Sequence, residues 1–251
     1  MPITVTALSV VPVKGMRVSA VEEVQLEPQG ARGDRAYLVV DADGALLETT
    51  RTPALLAVVA AYDPEPGTLC LRFPDGSRTE AVPEPHGAAS TRLYDGREVT
   101  GRLVDGPLGE ALSEHLGRGV RLLARDAAHT GADDAPVTLM SEASLRALAP
   151  ALGGMPDGRR FRMTLTVDGI DAWEEHGWAG RELRVGAAAL RVVEPVPRCV
   201  VTMRDPDDGR TDAPVLKALA RLRGSHDVTF GVWCVVTRPG TVRRGDVLEP
   251  A

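Results

Sequence analysis

Tyr37-Leu-Val-Val-Asp-Ala-Asp-Gly-Ala-Leu-Leu47 sets two apolar runs on either side of a turn signal, Asp41-Ala-Asp-Gly44. Aspartate hydrogen-bonds its own backbone and glycine tolerates positive φ, so these residues favour a tight reversal. The stretch reads as a β-hairpin. On its N-terminal side, Ile3, Val5 and Ala7, then Val10, Val11 and Val13, make a β-rich run ending at Lys14-Gly15. On its C-terminal side, Asp75-Gly76 and Asp95-Gly96 mark further tight turns. Residues 64–85 mix prolines with short apolar pieces, which suits edge strands and loops better than a helix. The first third is therefore a meander or small barrel.

Helices are few and short. Pro107 to Leu116 opens with a proline suited to the first helical position and closes at Gly117. Ser141 is the expected N-cap of a helix ending at Ala149, before Pro150. Asp212 is the expected N-cap of a third helix, Pro214 to Arg223, with Val215, Leu216, Leu219 and Leu222 inward. Strands are expected over 120–123, 160–167, 183–185, 189–193, 199–202 and 228–236. The fold class is mostly β, of the α+β kind, with helices packed outside. A boundary is expected near residue 118, dividing 1–118 from 119–251.

Composition bounds the function. The chain has 251 residues, 43% hydrophobic and 25% charged, with 19 prolines beside 26 glycines, which is enough to bury a core while turning often. A formal charge of -6 gives no basic face for nucleic acid. Cys70, Cys199 and Cys234 are too few and too scattered for a disulfide framework, and no C-x-x-C spacing suggests zinc. With no basic segment leading a long apolar one, a soluble, cytoplasmic protein is expected. Asparagine is absent and Lys14 and Lys217 are the only lysines, so positive charge is almost wholly arginine. Against that bias a retained lysine draws attention.

Cys199 lies in Glu194-Pro-Val-Pro-Arg-Cys-Val-Val-Thr202, directly after an arginine, at an expected strand mouth. A neighbouring cation favours the thiolate, the form that ligates metals or attacks electrophiles. The bland alternative is a small buried hydrophobe, which Cys234 and Cys70 match better. Arg160, Arg162 and Thr164 would share one face of a strand at period two, where arginine forks suit an anion, unless the face is merely solvated. Glu174-Glu175-His176 lacks a second histidine at metal-ligand spacing and reads as a polar loop between Trp173 and Trp178. No phosphate-binding glycine motif follows a strand, so a nucleotide cofactor is not expected.

Together these segments resemble the MOSC family, the domain at the C-terminus of molybdenum cofactor sulfurases, with its N-terminal β-barrel domain. The likeness spans nearly the whole chain. It rests on Pro12-Val-Lys-Gly15, Gly30-Ala-Arg-Gly-Asp-Arg35, Thr50-Arg51 and Asp134-Ala-Pro136, and on Ser141-Glu-Ala-Ser-Leu145 and Arg160-Phe-Arg162. It continues through Trp173 to Trp178, Arg198-Cys-Val-Val-Thr202, Asp205 to Gly209, Phe230-Gly231 and Val242-Arg-Arg-Gly-Asp246. The architecture is similar to that of the mitochondrial amidoxime-reducing components and their bacterial relatives. The resemblance implies an N-terminal β-barrel domain over 1–118 and a MOSC β-barrel over 119–251.

In that family a pterin dithiolene and one protein cysteine bind molybdenum. The resemblance places the metal thiolate, and the catalytic role, on Cys199 and cofactor anchoring on Lys14, Arg35, Arg162 and, at the same wall, Thr202. It implies two-electron reduction of N-hydroxylated or related N–O substrates. The chain has no iron–sulfur cysteine set, so a separate electron-donor protein is implied. Departures are Met163-Thr164 where relatives commonly show proline and asparagine, Val196 in place of a first cysteine, and no glutamine and asparagine after Gly231. The displaced asparagines favour an alternative from another class: a sulfur carrier or transferase, or a carbon–sulfur lyase of secondary metabolism, in which Cys199 bears a persulfide from a cysteine desulfurase or attacks a substrate, without molybdenum. A module that only stores or delivers the pterin is a third reading.

Overall fold

The computed structural model describes residues 2–133, 135–224 and 227–250. Asp134, part of one quoted motif, lies outside the described residues. In chain order the first strands are β1 (Ile3–Val10), β2 (Ser19–Val21), β3 (Glu23–Glu27), β4 (Gly30–Ala31) and β5 (Tyr37–Asp41). There follow β6 (Val59–Asp63), β7 (Thr68–Arg72), β8 (Arg78–Ala81), β9 (Pro85–Arg92) and β10 (Glu98–Val104). Helix α1 (Pro107–Leu116) leads to β11 (Val120–Arg125), β12 (Val137–Ser141), α2 (Glu142–Leu152) and β13 (Leu165–Asp168). The chain ends with β14 (Glu182–Val185), β15 (Ala188–Pro197), α3 (Val215–Arg223), β16 (Thr229–Arg238), β17 (Gly240–Arg243) and β18 (Val247–Pro250). Among the described residues no helix is long and apolar enough to cross a membrane.

Seven strands close into a barrel in the order β13-β12-β16-β15-β14-β18-β1, with β1 pairing back onto β13. The closure is antiparallel, Thr4 opposite Asp168 and Leu8 opposite Leu165, with a bulge between Val5 and Ala7 that bends β1 around the cylinder. Alternate residues point inward, and Val5, Leu8, Val137, Leu139, Leu165, Val167, Leu190, Val232 and Leu248 fill the interior. β2 extends the barrel sheet from β1, β3 and β4 pair with β17, and the N-terminal half adds a sheet β5-β11-β10-β9 and a three-stranded meander β6-β7-β8.

The run Tyr37-Leu-Val-Val40 is apolar throughout because β5 is buried on both faces. Tyr37 and Val39 enter one core with Leu55, Leu71 and Leu112, whereas Leu38 and Val40 enter another with Leu93 and Leu123. The hairpin after it closes as its sequence requires: Leu47 N donates to Val39 O at 2.8 Å and the Asp41 carboxylate accepts from Ala45 N at 2.9 Å.

Three expectations need correction. Residues 160–167 are not one strand: Gly158–Phe161 is a 3-10 turn, Arg162 adopts φ 54°, and only Leu165–Asp168 is extended. Arg160 and Arg162 therefore do not share a strand face. Residues 199–202 likewise form a 3-10 turn, Val200–Met203, with Cys199 as its cap. The polar loop expected between Trp173 and Trp178 is a 3-10 turn, Glu174–Trp178, whose Glu175 is fully buried and accepts from Ser144 Oγ at 2.8 Å and Ser141 Oγ at 3.2 Å. Burial raises its carboxyl above the ordinary range, although those hydroxyls oppose the shift. The helices differ in detail: α2 runs through Pro150 to Leu152, Leu222 is exposed on α3, and Asp212 pairs with Arg160 instead of capping.

His176 beside Glu175 gives a test of this packing. Burial, then the Arg223 guanidinium, pushes its pKa down from 6.5 to about 4, and Arg223 Nη2 lies 3.1 Å from His176 Nδ1. Between those values the unfolded chain binds a proton that the folded chain refuses, so stability is fully present above pH 6.5 and is lost as pH falls toward 4. Replacing His176 with glutamine is expected to remove about 1–2 kcal/mol of this acid destabilisation, allowing for partial exposure. Urea unfolding of both proteins from neutral pH down to about 4 measures the difference in slope.

Candidate active site

One cavity of about 540 Å³ opens where the end of the barrel meets the N-terminal half. Four chain segments bring its chemistry together. Directly after β1 the backbone runs beside β5, with Val13 bridged to Tyr37 and Lys14 N donating to Tyr37 O at 2.8 Å. That contact turns the Lys14 side chain into the cavity. Its ammonium, almost wholly buried, donates to Gly131 O at 3.0 Å and to Asp133 Oδ1 at 2.5 Å.

Arg35 takes φ 48° in the turn before β5, and its backbone N donates to Val11 O at 2.7 Å. Its guanidinium pairs with Asp34, whose other oxygen accepts from Val11 N at 2.6 Å. Asp34 thus fixes the arginine and the start of the Lys14 segment at once. Arg162, also at positive φ, donates from Nη1 to Met16 O at 2.8 Å. Left-handed backbone at two non-glycine residues costs free energy, and both place a cation in the same cavity.

Cys199 follows the last residues of β15 and is exposed at the cavity wall. Thr202 is buried below it and donates from Oγ1 to Cys199 O at 2.9 Å, which locks the turn that presents the thiol. The Arg198 side chain engages main-chain carbonyls. Its guanidinium donates to Phe230 O at 2.7 and 3.0 Å and to Phe161 O at 3.1 Å. Arg162 also interacts electrostatically with Cys199. Arg160 lines the cavity but forms a two-pronged pair with Asp212 at 2.7 and 2.6 Å, a structural engagement.

The electrostatics follow from this crowding. Burial pushes the Arg162 guanidinium down to about 10 and Arg35 adds to the effect, against the attraction of Asp133, Asp34 and Cys199. Burial also lowers the Lys14 ammonium; Asp133 opposes the shift, while Arg35 and Arg162 reinforce it. The Asp133 carboxyl is raised by its withdrawal from water, but Lys14, Arg35 and Arg162 together hold it below the ordinary range. Among the described residues five cations and two carboxylates line the cavity. Asp34 and Asp212 stand behind two of the cations, and the described cations still outnumber the described carboxylates. A buried excess of like charge invites an anion, and one soft cysteine sulfur beside it suits a redox metal held partly by sulfur.

Comparison with known proteins agrees with this chemistry. A model of the MOSC N-terminal beta barrel domain matches residues 2–107, and a model of the MOSC domain matches residues 126–249. The chain belongs to the MOSC family. This MOSC protein is 26% identical to mitochondrial amidoxime reducing component 2 of Homo sapiens over 279 residues, covering 97% of this chain and 82% of that one. It is 27% identical to mitochondrial amidoxime-reducing component 1 of Xenopus laevis, covering 96% and 80%. Molybdenum cofactor sulfurase of Danio rerio is 27% identical over 92% of this chain but 31% of its own length. Among solved structures, the YuaD protein of Bacillus subtilis aligns over 99% of this chain and 94% of that one, at 14% identity and a TM-score of 0.49.

Lys14, Arg35, Arg162, Cys199 and Thr202 of this MOSC chain, named from sequence, all line one cavity. Sequence reading missed Asp133 as the partner of Lys14, Glu48 and Tyr94 on the rim, and Trp233 on the wall. Asp133 alone carried a signal, two residues past a glycine and three before a proline; the others reach the cavity only through tertiary folding. The three cysteines differ enough in exposure to test the geometry. Under native conditions iodoacetamide is expected to alkylate Cys199 readily and to leave Cys234, which burial pushes up to about 12, untouched. Cys70, half-buried with Arg78 Nε at 3.0 Å, is expected to react at an intermediate rate, and peptide mass spectrometry over time reads all three.

Proposed function

We propose that this protein is a molybdenum-cofactor oxidoreductase that reduces N-hydroxylated or related N–O substrates, with electrons from a separate redox protein. The observation that carries the reading is the convergence of Cys199 with Lys14, Arg35 and Arg162 on one cavity. The donor set fits the group: one soft thiolate at the wall for the metal, and a buried surplus of cations for an anionic pterin phosphate. When bound, the cofactor supplies a two-electron couple at a metal that binds sulfur and oxygen.

Each residue then has a task. Cys199 holds the metal, and the Thr202 hydroxyl keeps its turn from relaxing. Lys14 and Arg162 bind the phosphate as charge-assisted donors, while Arg35, braced by Asp34, completes the cationic wall. Conversion of an N–OH group to N–H consumes two electrons and two protons and releases water. Protons reach the cavity through its open rim, where Glu48 and the half-exposed Asp133 meet solvent.

The test uses full-length protein made in a host that assembles the cofactor. Molybdenum is expected at roughly one equivalent per chain, since one thiolate offers one ligand position. Reduced viologen is expected to convert a simple N-hydroxylated amidine to the amidine, and Cys199→Ser to lose most of that rate because a hydroxyl is a harder ligand. Full turnover without molybdenum would overturn the reading. The exposed Cys199 thiol also suits the sulfur-transfer reading. Persulfide loading of Cys199 by a cysteine desulfurase, with no viologen-driven reduction, would establish that reading in its place.

A further inference from the structure

Asp133 is anomalous for a residue in an anion seat. Its carboxylate points at Lys14, with Oδ1 2.5 Å from the ammonium, although the cavity otherwise gathers positive charge. The two partners are unequally placed: the Lys14 side chain is 10% exposed and that of Asp133 is 52% exposed. Lys14 is therefore fixed in the wall, held also by Gly131 O at 3.0 Å, while Asp133 lies over it from the solvent side.

The backbone beneath Asp133 is pinned independently of its side chain. Arg97, at the tip of the β9–β10 hairpin, donates to Ala132 O at 3.1 Å and to the Asp133 carbonyl. A Cβ at Gly131 would run into the carbonyl of Arg35, so that glycine lets the segment press against the arginine's backbone. The carboxylate is thus free to rotate outward into water while the main chain stays in place.

We propose that Asp133 is a tethered counter-ion for the Lys14–Arg35–Arg162 cluster, and that it sets the charge a ligand must bring, selecting phosphate monoester dianions over monoanions. The inference deepens the reading of the cavity as a cofactor seat and rests on it. The charge balance gives the reason. Counted over these five described side chains, Asp34 and Asp133 leave the cluster one surplus positive charge, and two when Asp133 swings out. A monoanion entering instead restores only the balance that Asp133 already provided, and it gives up its freedom to do so. A dianion neutralises the cluster, and its several oxygens suit separate cations.

The experiment titrates cofactor-free, full-length protein by calorimetry with methyl phosphate, a dianion at about pH 8, and dimethyl phosphate, a monoanion of similar shape. Ionic strength is held constant, because surface contributions are screened by salt. Wild-type protein is expected to bind methyl phosphate and to show no measurable dimethyl phosphate binding. Asp133→Asn is expected to bind methyl phosphate about tenfold tighter, and to bring dimethyl phosphate into the measurable range, since a competing charge is removed. Arg162→Ala is expected to weaken methyl phosphate binding severalfold. Asp133→Ser, with circular dichroism and thermal unfolding of each variant, separates loss of charge from loss of fold.

Unchanged or weaker methyl phosphate binding in folded Asp133→Asn and Asp133→Ser would overturn the proposal, because Asp133 would then be holding Lys14 in place for the ligand. Failure of the wild-type protein to bind methyl phosphate would overturn it as well. Neither result depends on molybdenum or turnover, so each is distinguishable from failure of the oxidoreductase reading, which rests on metal content and amidine formation.

Discussion

The return of β1 to β13 is the constraint on which the remainder depends. β1, at the start of the chain, is flanked by β13 and β18 from its second half, so the barrel closes only when the first strand is in place. The same strand delivers the site. Its continuation through Val11 and Val13 is clamped by Asp34, Arg35 and Tyr37, and the next residue is Lys14. Ser9 N donates to Thr164 O at 3.0 Å, two residues from Arg162, and Arg162 donates to Met16 O. Barrel closure and assembly of the cationic wall therefore use adjacent hydrogen bonds. A shift of β1 by one residue would turn Val5 and Leu8 out of the core and carry Lys14 away from Arg162.

Several cations in a protein of net charge -6 are a local arrangement and not a property of composition. Many surface arginines are matched with carboxylates, as in Arg159 with Asp157 and Asp207, Arg146 with Asp168, and Arg243 with Glu23. Arg162 differs. Its contact is a carbonyl, its backbone is left-handed, and burial with Arg35 nearby disfavours its charged form. Strain and uncompensated charge in one residue destabilise the protein without a ligand, and surrounding structure has to hold them. Phe161 stacked on Phe230 at 3.9 Å, and Arg198 tying both backbones together, supply that rigidity next to Arg162.

Much of the fold was legible because local chemistry and tertiary structure agree. The Asp-Ala-Asp-Gly turn, α1 between Pro107 and Gly117, and the Ser141 cap all form where turn and capping residues place them. The misreadings share one cause. Arg160 to Val167 and Cys199 to Thr202 alternate or branch like strands, yet long-range partners override the pattern. Arg160 is drawn to Asp212 and Cys199 is turned by the Thr202 hydroxyl, neither visible as a period in the sequence. Glu175 was read as polar loop because its partners, Ser141 and Ser144, lie more than thirty residues away in sequence. The site residues were legible through family resemblance and not through spacing, since Lys14, Arg35, Arg162 and Cys199 converge only after folding.

That convergence has an energetic consequence. The anchors come from four segments: the stretch after β1, the turn before β5, the 3-10 turn before β13 and the turn after β15. Strands of the barrel and strands of the second sheet both contribute. An anion seated among these residues bonds to the folded chain and not to the unfolded one, so its binding free energy adds to stability and couples the segments it touches. Even without it, Lys14 reaches Gly131 O and Asp133, and Arg162 reaches Met16 O, across the two halves of the sequence. On the proposed reading the cations have two roles: they hold the anion, and the anion in turn relieves the repulsion that barrel closure imposes on them.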